Sequence, residues 1–253
     1  MAGEIAMLRR ATLCLEQVLA QRRQLALHRA DDDAEHRGSE VLSQLELNRR
    51  RLEMLGTPGG ADWVDLLELV DVERHTNRGR WQRTPVNGLS IEPSQFASIS
   101  IPARPTGSYE MRVSFERVEG EDGIFIAIPA GDDRGNLNLG GWNSSVSGLE
   151  RINGRQANEN ATTITPGRIS TGVVHDLYIR VEMDEQGEVT FYSELDGGQF
   201  ITWQGAADEL STADPWRLPL AGQMGLGSHT NHIHFRAMQL RLLDGELERL
   251  DVD

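Results

Sequence analysis

The stretch with the most chemistry to offer begins at Trp142 and continues to residue 163. It is the longest segment without a strand pattern, and asparagine amides follow the indole ring directly. Sites for sugars combine an aromatic face, which stacks on the C–H surface of the sugar, with amide groups that hydrogen-bond the hydroxyls. The alternative is that the asparagines only supply turns and that the indole is part of the core. The candidate ligand residues of this segment are Trp142, Asn143, Asn158 and Asn160.

Charged side chains of a neighbouring segment add two further candidates. Glu110 and Arg112 project from one face of a predicted strand, and they would meet a ligand if that face is the open one. Glu110 and Glu116 are six residues apart in this strand, which separates them by about 20 Å. A glycosidase needs its two carboxyl groups about 5 to 9.5 Å apart. The sequence therefore predicts ligand-binding residues here but no catalytic pair.

Two patterns suggest metal ions, and for both we favour a reading without a metal. His229, His232 and His234 are spaced as H-x-x-H-x-H, but no carboxylate stands nearby in sequence to orient three imidazoles around zinc. Residues 132–138, DDRGNLN, offer oxygens for calcium but lack the terminal bidentate glutamate of a calcium loop. We predict strand-end histidines, a hairpin turn and no cofactor, with calcium as the open alternative.

The elements that must position these groups are short strands. Tyr109, Met111, Val113 and Phe115 alternate with polar residues, which predicts a half-buried strand. The run 124–128 is apolar on both faces and stops at a proline, so its strand should lie between two layers. We expect these two strands to pair as an antiparallel hairpin.

Further strands follow with few interruptions from residue 88 to residue 243. Turn signals recur at roughly 8 to 12 residue spacing, which is typical of sandwiches and barrels. The fold class predicted is mainly β: a two-layer antiparallel jelly-roll sandwich. Short helical turns are expected at 64–70 and 206–211, and strands at, among others, 148–152 and 167–169.

The N-terminal segment follows a different period. Apolar residues recur every three or four positions in two stripes that are out of phase, which predicts a helical hairpin or a coiled coil. Such helices cannot bury their apolar faces alone, so we expect docking on a partner protein or self-association as a homo-oligomer. The predicted organisation is a helical segment at 1–56, a linker at 57–61, the sandwich at 62–246 and an acidic tail at 247–253.

The amino-acid composition excludes several kinds of catalysis and disfavours some partners. All 25 basic residues are arginine, which excludes Schiff-base, lysine-nucleophile and P-loop-lysine chemistry. The formal charge of −14 falls on residues 61–253, where 16 arginines face 30 acidic residues. Nucleic acid is therefore an unfavourable partner, whereas neutral sugars, cations and basic protein surfaces are permitted. Cys14 is the only cysteine, and no apolar run approaches the about 20 residues that span a bilayer, so we expect a cytoplasmic protein without membrane insertion.

The order of several landmarks resembles a known family. They are W-V-D-L-L at 63–67, G-R-W at 79–81, S-Y-E-M-R-V-S-F at 108–115, G-G-W-N at 140–143 and G-L-G-S at 225–228. Residues 61–244 resemble a concanavalin A or laminin-G-like jelly roll of the kind attached to bacterial signalling proteins. More distantly, they are similar to 3-keto-disaccharide hydrolase-like domains. That resemblance implies His229 as a ligand residue, because it matches the histidine of a Gly-Leu-Gln-x-His pattern, although Gly227 and Ser228 replace the glutamine-containing pair.

The function predicted is a non-catalytic recognition module that binds a glycan or a protein. A structural or scaffold role in a larger assembly is the first alternative, and a sugar-directed hydrolase or lyase is the second. A catalytic domain should place a carboxylate within hydrogen-bond reach of His229 in a deep cleft. A lectin should show a shallow groove floored by Trp142, and a scaffold should show neither.

Overall fold

The computed structural model describes residues 63–250 apart from Val86 and Asp132. The chain divides into two units between Gly60 and Ala61, and all described residues belong to the second unit. The predicted helices, the linker and the proposed self-association therefore lie outside the described residues.

Short strands make up most of the described chain. The 18 strands within it are β1 (Trp63–Asp65), β2 (Thr76–Arg78), β3 (Trp81–Arg83), β4 (Leu89–Ile91), β5 (Ala97–Ile101), β6 (Ala103–Pro105), β7 (Tyr109–Glu119), β8 (Ile124–Ala130), β9 (Asp133–Gly140), β10 (Val146–Leu149), β11 (Arg151–Ile152), β12 (Arg155–Gln156), β13 (Val174–Met183), β14 (Glu188–Leu195), β15 (Gly198–Ala206), β16 (Met224–Ser228), β17 (His232–Leu242) and β18 (Leu247–Arg249).

Two sheets form the sandwich. The larger, eight-stranded sheet has the order β15-β14-β13-β7-β17-β4-β3, with β1 also paired to β17. The smaller, six-stranded sheet has the order β10-β9-β8-β16-β5-β2. All strand pairs of the described chain are antiparallel, which confirms the predicted antiparallel, mainly β fold.

Inward-facing side chains of the two sheets form one core. Val113 and Phe115 of β7 and Ile126 and Ile128 of β8 are at most 1% exposed and belong to the same apolar cluster. The alternation along β7 therefore predicted the buried face correctly, because a strand with one buried face must place every second residue in the core.

The predicted hairpin of β7 and β8 is wrong. β7 pairs with β13 and β17 in the larger sheet, whereas β8 pairs with β9 and β16 in the smaller one. The turn between them carries the chain from one layer to the other, and Gly120 takes up a φ of 100° there. Both strands bury an apolar face, and placing them in facing sheets brings those two faces into the common core.

Two further boundaries differ from the sequence prediction. Residues 167–169 form no strand, and residues 247–249, assigned to an acidic tail, form β18, which pairs with β6. Leu247 packs against the core, and Glu248 accepts hydrogen bonds from the Arg104 guanidinium, so these residues continue the domain.

Helical structure is limited to short turns. α1 (Val72–His75) begins after Asp71, whose carboxylate caps the backbone N–H groups of Glu73 and Arg74. Single 3₁₀ turns at Leu67–Leu69 and Ala207–Glu209 lie within the two segments predicted to be helical. None of the helices between residues 63 and 250 has the length and hydropathy to cross a bilayer.

We expect Phe115→Ala to lower the free energy of unfolding by about 3 to 5 kcal/mol, because the ring fills the centre of the core. Chemical denaturation would measure this. Val118→Ala on the same strand is the matched control, since Val118 is 36% exposed and should change stability little. Equal midpoints for the two variants would contradict the packing described here.

Candidate functional site

The outer face of the six-stranded sheet carries a cross-strand row of unlike side chains. Asn138 of β9 pairs with Phe125 of β8, Phe125 with Gly227 of β16, and Gly227 with Ser98 of β5. The residues that flank this row in the same strands point into the core. Because side chains alternate along a strand, the polar amide and the phenyl ring of this row face away from the core.

Trp216 and Phe96 pack on this row and form, with Phe125, the surface called the aromatic wall below. Trp216 stacks on Phe125 with ring centroids 3.6 Å apart, and Phe96 meets Trp216 edge-on at 5.2 Å. Phe96 also lies 4.5 Å from the His229 ring. The absence of a side chain at Gly227 permits this packing, because a Cβ there would lie 3.0 Å from the Trp216 ring.

A cavity of about 260 Å³ opens beside the wall. Its lining includes Trp142, Glu150, Asp122 and His229, together with Asn138 of β9. Its volume is close to the lower end of the range for small-molecule sites. The cavity therefore suits one or two small rings better than a long extended ligand.

The Trp142 segment has an unusual backbone. Glycine and asparagine enter the left-handed region readily, but other L-residues do so at a cost of about 1 to 2 kcal/mol each. Strained backbone of this kind is retained where the surroundings over-determine it, often at a functional site. The positive φ values are 61° at Gly140, 50° at Trp142, 55° at Asn143 and 62° at Ser144.

The Arg117 guanidinium donates hydrogen bonds to this turn. Arg117 is 1% exposed and occupies a core-facing position at the end of β7, where burial lowers the pKa of the guanidinium. Each of its five N–H donors has an acceptor. The acceptors are Thr171 Oγ1 (3.0 Å), Asp122 O (3.1 Å), Gly140 O (3.3 Å), Ser144 Oγ (2.7 Å) and Ile169 O (2.7 Å).

The loop that carries Asp122 is fixed by a second set of hydrogen bonds. The Asp122 N–H donates to Asn231 Oδ1 at 2.9 Å, and Asn231 Nδ2 donates back to the Asp122 carbonyl at 2.8 Å. The Asp122 carboxylate accepts from the Gly123 N–H at 2.7 Å and contacts His229 Nδ1 at 3.1 Å. A carboxylate only accepts, so Nδ1 of His229 is the donor in this contact.

Glu150 is the buried acid of the cavity. It is 7% exposed, and its backbone N–H donates to the Asn136 carbonyl at 2.7 Å. Burial raises the pKa of its carboxyl from the usual 4.5 to about 7, although the neighbouring Arg151 acts in the opposite direction. Glu150 Oε2 and Asn138 Oδ1 are buried and have no hydrogen-bond partner within the part of the chain that the structure describes. Unpaired buried polar atoms are costly, and an ordered water or a ligand can satisfy them.

The structure brings together two of the residues predicted from sequence, Trp142 and His229, on one cavity. Asn143 and Asn158 are exposed and are not among the lining residues of that cavity. Asn160 has a structural role, because its amide donates to the Leu149 carbonyl at 2.8 Å. The asparagines of this segment thus lie around the site rather than inside it.

Glu110 and Arg112 lie on the eight-stranded sheet and are absent from the cavity lining. Glu110 accepts from the Tyr178 hydroxyl at 2.8 Å and from Arg241 Nε at 2.9 Å. The Arg112 guanidinium lies 4.4 Å from the centre of the Trp63 ring. These charges therefore pair with neighbours on the outer face of their own sheet.

The three histidines of the H-x-x-H-x-H pattern lie in two separate places. His232 and His234 belong to β17, with ring centroids 4.8 Å apart, and Ser90 Oγ lies 3.3 Å from His232 Nε2. His229 lies before that strand, beside Asp122. Among the residues that the structure describes, which exclude Asp132, no group of three or more His, Cys, Asp or Glu side chains is arranged to hold a metal ion.

Sequence reasoning missed the buried groups of the site. One signal was available: Arg117 occupies an inward position in the alternation that contains Val113 and Phe115. An arginine at such a position must find buried acceptors. Glu150 and Trp216 gave no comparable signal, because their neighbours in the fold are distant in sequence.

Comparisons with known proteins give limited similarity. No family model matches the chain. An extracellular exo-α-L-arabinofuranosidase of Streptomyces chartreusis is 28% identical over 152 residues, which are 54% of this chain and 17% of that enzyme. The match thus covers only a small part of the enzyme's length.

Solved structures with some likeness include a carbohydrate-binding module, CBM66, from Bacillus subtilis. It is 12% identical with a TM-score of 0.47, covering 72% of this chain and 96% of that one. The β-glucanase of Bacillus licheniformis is 10% identical with a TM-score of 0.43, covering 73% of this chain and 94% of that one.

We expect Arg117→Gln to lower the free energy of unfolding by about 3 kcal/mol or more, because it leaves buried carbonyls and hydroxyls without donors. Arg80→Gln is the control, since Arg80 forms an ion pair with Glu92 in which both side chains are exposed, and its substitution should change stability little. Thermal and chemical unfolding of both variants would test this. Similar stability of the two would show that Arg117 does not hold the turn.

We expect Glu150 to make stability fall as pH rises from about 4.5 to above 7. Between its usual pKa of 4.5 and its folded pKa of about 7, the folded state holds a proton that the unfolded state has lost. Stability is therefore highest below pH 4.5 for this group, and about 3 kcal/mol is lost by the time pH has passed 7. The difference in unfolding free energy between the unmodified chain and Glu150→Gln, measured across this range, isolates the effect. A difference that is constant with pH would contradict it.

Proposed function

We propose that the sandwich domain is a carbohydrate-binding module and that a sugar binds in the cavity beside Trp142. The observation that carries the proposal is the meeting of a partly exposed indole with buried, unpaired hydrogen-bonding oxygens of Asn138 and Glu150. A sugar ring has an apolar C–H face for the first and hydroxyl donors for the second.

The rigidity of the surroundings supports this function. Trp142 is placed by a turn that Arg117 anchors, and Trp216 is stacked on Phe125. Binding groups that are already held in place lose little conformational freedom when the ligand arrives, which favours affinity. The similarity to part of an arabinofuranosidase is consistent with a carbohydrate ligand.

A hydrolase or lyase is the second candidate, favoured by one contact. The Asp122 carboxylate lies within hydrogen-bond reach of His229 on the same cavity as Glu150. An oriented imidazole and a protonated carboxyl are groups that general base and acid catalysis uses. Release of reducing ends from oligosaccharides, lost in His229→Ala, would support this candidate over binding alone.

A scaffold role with docking through residues 1–56 is a separate proposal. It rests on the apolar stripes of the sequence and is compatible with either ligand function. Light scattering of the full chain and of a chain lacking 1–56 would test it, because self-association predicts different numbers of chains per particle.

We expect Trp142→Ala to weaken sugar binding by about 1 to 3 kcal/mol, because the variant loses an aromatic contact surface. Ligands would first be found on a glycan array, and affinities would then follow from tryptophan fluorescence or calorimetry. Trp203→Ala is the matched control: Trp203 is also partly buried but lies on β15 of the other sheet.

Two results would contradict the proposal. One is the absence of binding by any oligosaccharide at millimolar concentration. The other is an equal loss of affinity in both tryptophan variants when both remain folded.

A further inference from the structure

We propose that the cavity selects amino sugars, in which a hydroxyl is replaced by a protonated amine, over neutral sugars. This proposal rests on the carbohydrate-binding function given above and names the class of ligand. Three properties of the described cavity lining support it: its charge, its unfilled hydrogen-bond positions and its aromatic surface.

The acidic groups of the lining favour a cation, and Glu150 becomes negative when it loses the proton that burial holds up to about pH 7. Asp122 and Glu150 contribute carboxyl groups, and the described lining residues include no arginine. Lysine does not occur in the chain. The acidic excess of residues 61–253 adds a field of the same sign, which raises the local concentration of cations at the surface.

The unfilled positions accept hydrogen bonds once Glu150 has lost its proton beside a bound cation. Glu150 Oε2 and Asn138 Oδ1, two oxygens of the cavity lining, lack partners in the described chain. A ligand that satisfies these atoms must bring donors. An ammonium group brings three donors and no acceptor, whereas each hydroxyl brings only one donor.

The aromatic surface suits a cation as well as a sugar ring. Trp142, Trp216 and Phe96 line the same cavity. Indole attracts a cation within about 6 Å of its centre through the electron-rich ring face, and the attraction is stronger where water is excluded. The same rings stack on the C–H face of the sugar, so one ligand satisfies both properties.

Glu150 is the residue that distinguishes amino sugars from neutral sugars. Arg151 is the charged neighbour that acts on Glu150, and Asp122 and His229 are the other titratable groups of the cavity lining. Burial keeps the Glu150 carboxyl largely protonated up to about pH 7. An ammonium group beside it would stabilise the carboxylate, lower its pKa and release a proton. A neutral sugar would leave the proton in place.

The test compares three sugars on the full chain by calorimetry: D-glucosamine, N-acetyl-D-glucosamine and D-glucose. We expect glucosamine to bind at least about tenfold more tightly than the other two at pH 6.5, since charge-assisted hydrogen bonds are about twice as strong as neutral ones. Its binding enthalpy should vary with the ionisation enthalpy of the buffer, which reports the released proton. The enthalpy for glucose should not vary.

Glu150→Gln should reduce the ratio of glucosamine to glucose affinity to near one. Glu194→Gln is the control: Glu194 accepts a hydrogen bond from the Tyr192 hydroxyl on the other sheet, and its substitution should leave the ratio unchanged. The three-sugar comparison on the unmodified chain decides the proposal even if Glu150→Gln does not fold.

The outcomes separate selectivity from sugar binding itself. Equal affinity for glucosamine and glucose overturns the selectivity while the sugar site stands. Tetramethylammonium binding as tightly as glucosamine also overturns it, because the sugar ring would then contribute nothing. If no sugar binds, the proposed function fails together with this inference.

Discussion

A single buried cation organises the described domain around its cavity. Arg117 leaves the end of β7 on the core-facing side, and its five donors bond three backbone carbonyls and two hydroxyls. These acceptors lie in three chain segments that have no strand pairing in common at this point. Taking a charge out of water is costly, so it is compensated only when all five bonds form together. The hydrogen bonds of Arg117 therefore join the loops that carry Trp142 and Asp122.

This arrangement links backbone strain to the chemistry of the cavity. The left-handed turn at Trp142 costs energy, and the hydrogen bonds from Arg117 to Gly140 and Ser144 offset that cost. The turn brings the indole to the cavity that Glu150 also lines. A carboxyl that is buried and lacks a full set of partners binds its proton more tightly. A rigidly positioned indole and an acid with a raised pKa thus line the same cavity.

The sequence predicted correctly those features that depend on a single strand. The alternation of Val113 and Phe115 identified the buried face, because that face depends on spacing alone. Nothing in the turn between β7 and β8 indicated which sheet the second strand would join, since both pairings bury the same side chains. Trp142 was identified by its residue type, and His229 was identified through a family resemblance. Glu150 was missed because its burial comes from segments distant in sequence.

The glycines beneath the aromatic wall give a criterion for recognising related proteins. A side chain at Gly225 would lie 2.5 Å from Leu218, just as one at Gly227 would meet Trp216. Gly225 and Gly227 of β16 therefore leave the space that Leu218 and Trp216 of the covering loop fill. The G-x-G and W-x-L patterns of the sequence are complementary, because larger residues in β16 would displace the loop. A homologue that keeps both patterns can be expected to keep the pocket shape. One that has lost either pattern must close the outer face of its sheet in another way, whatever its overall percentage identity.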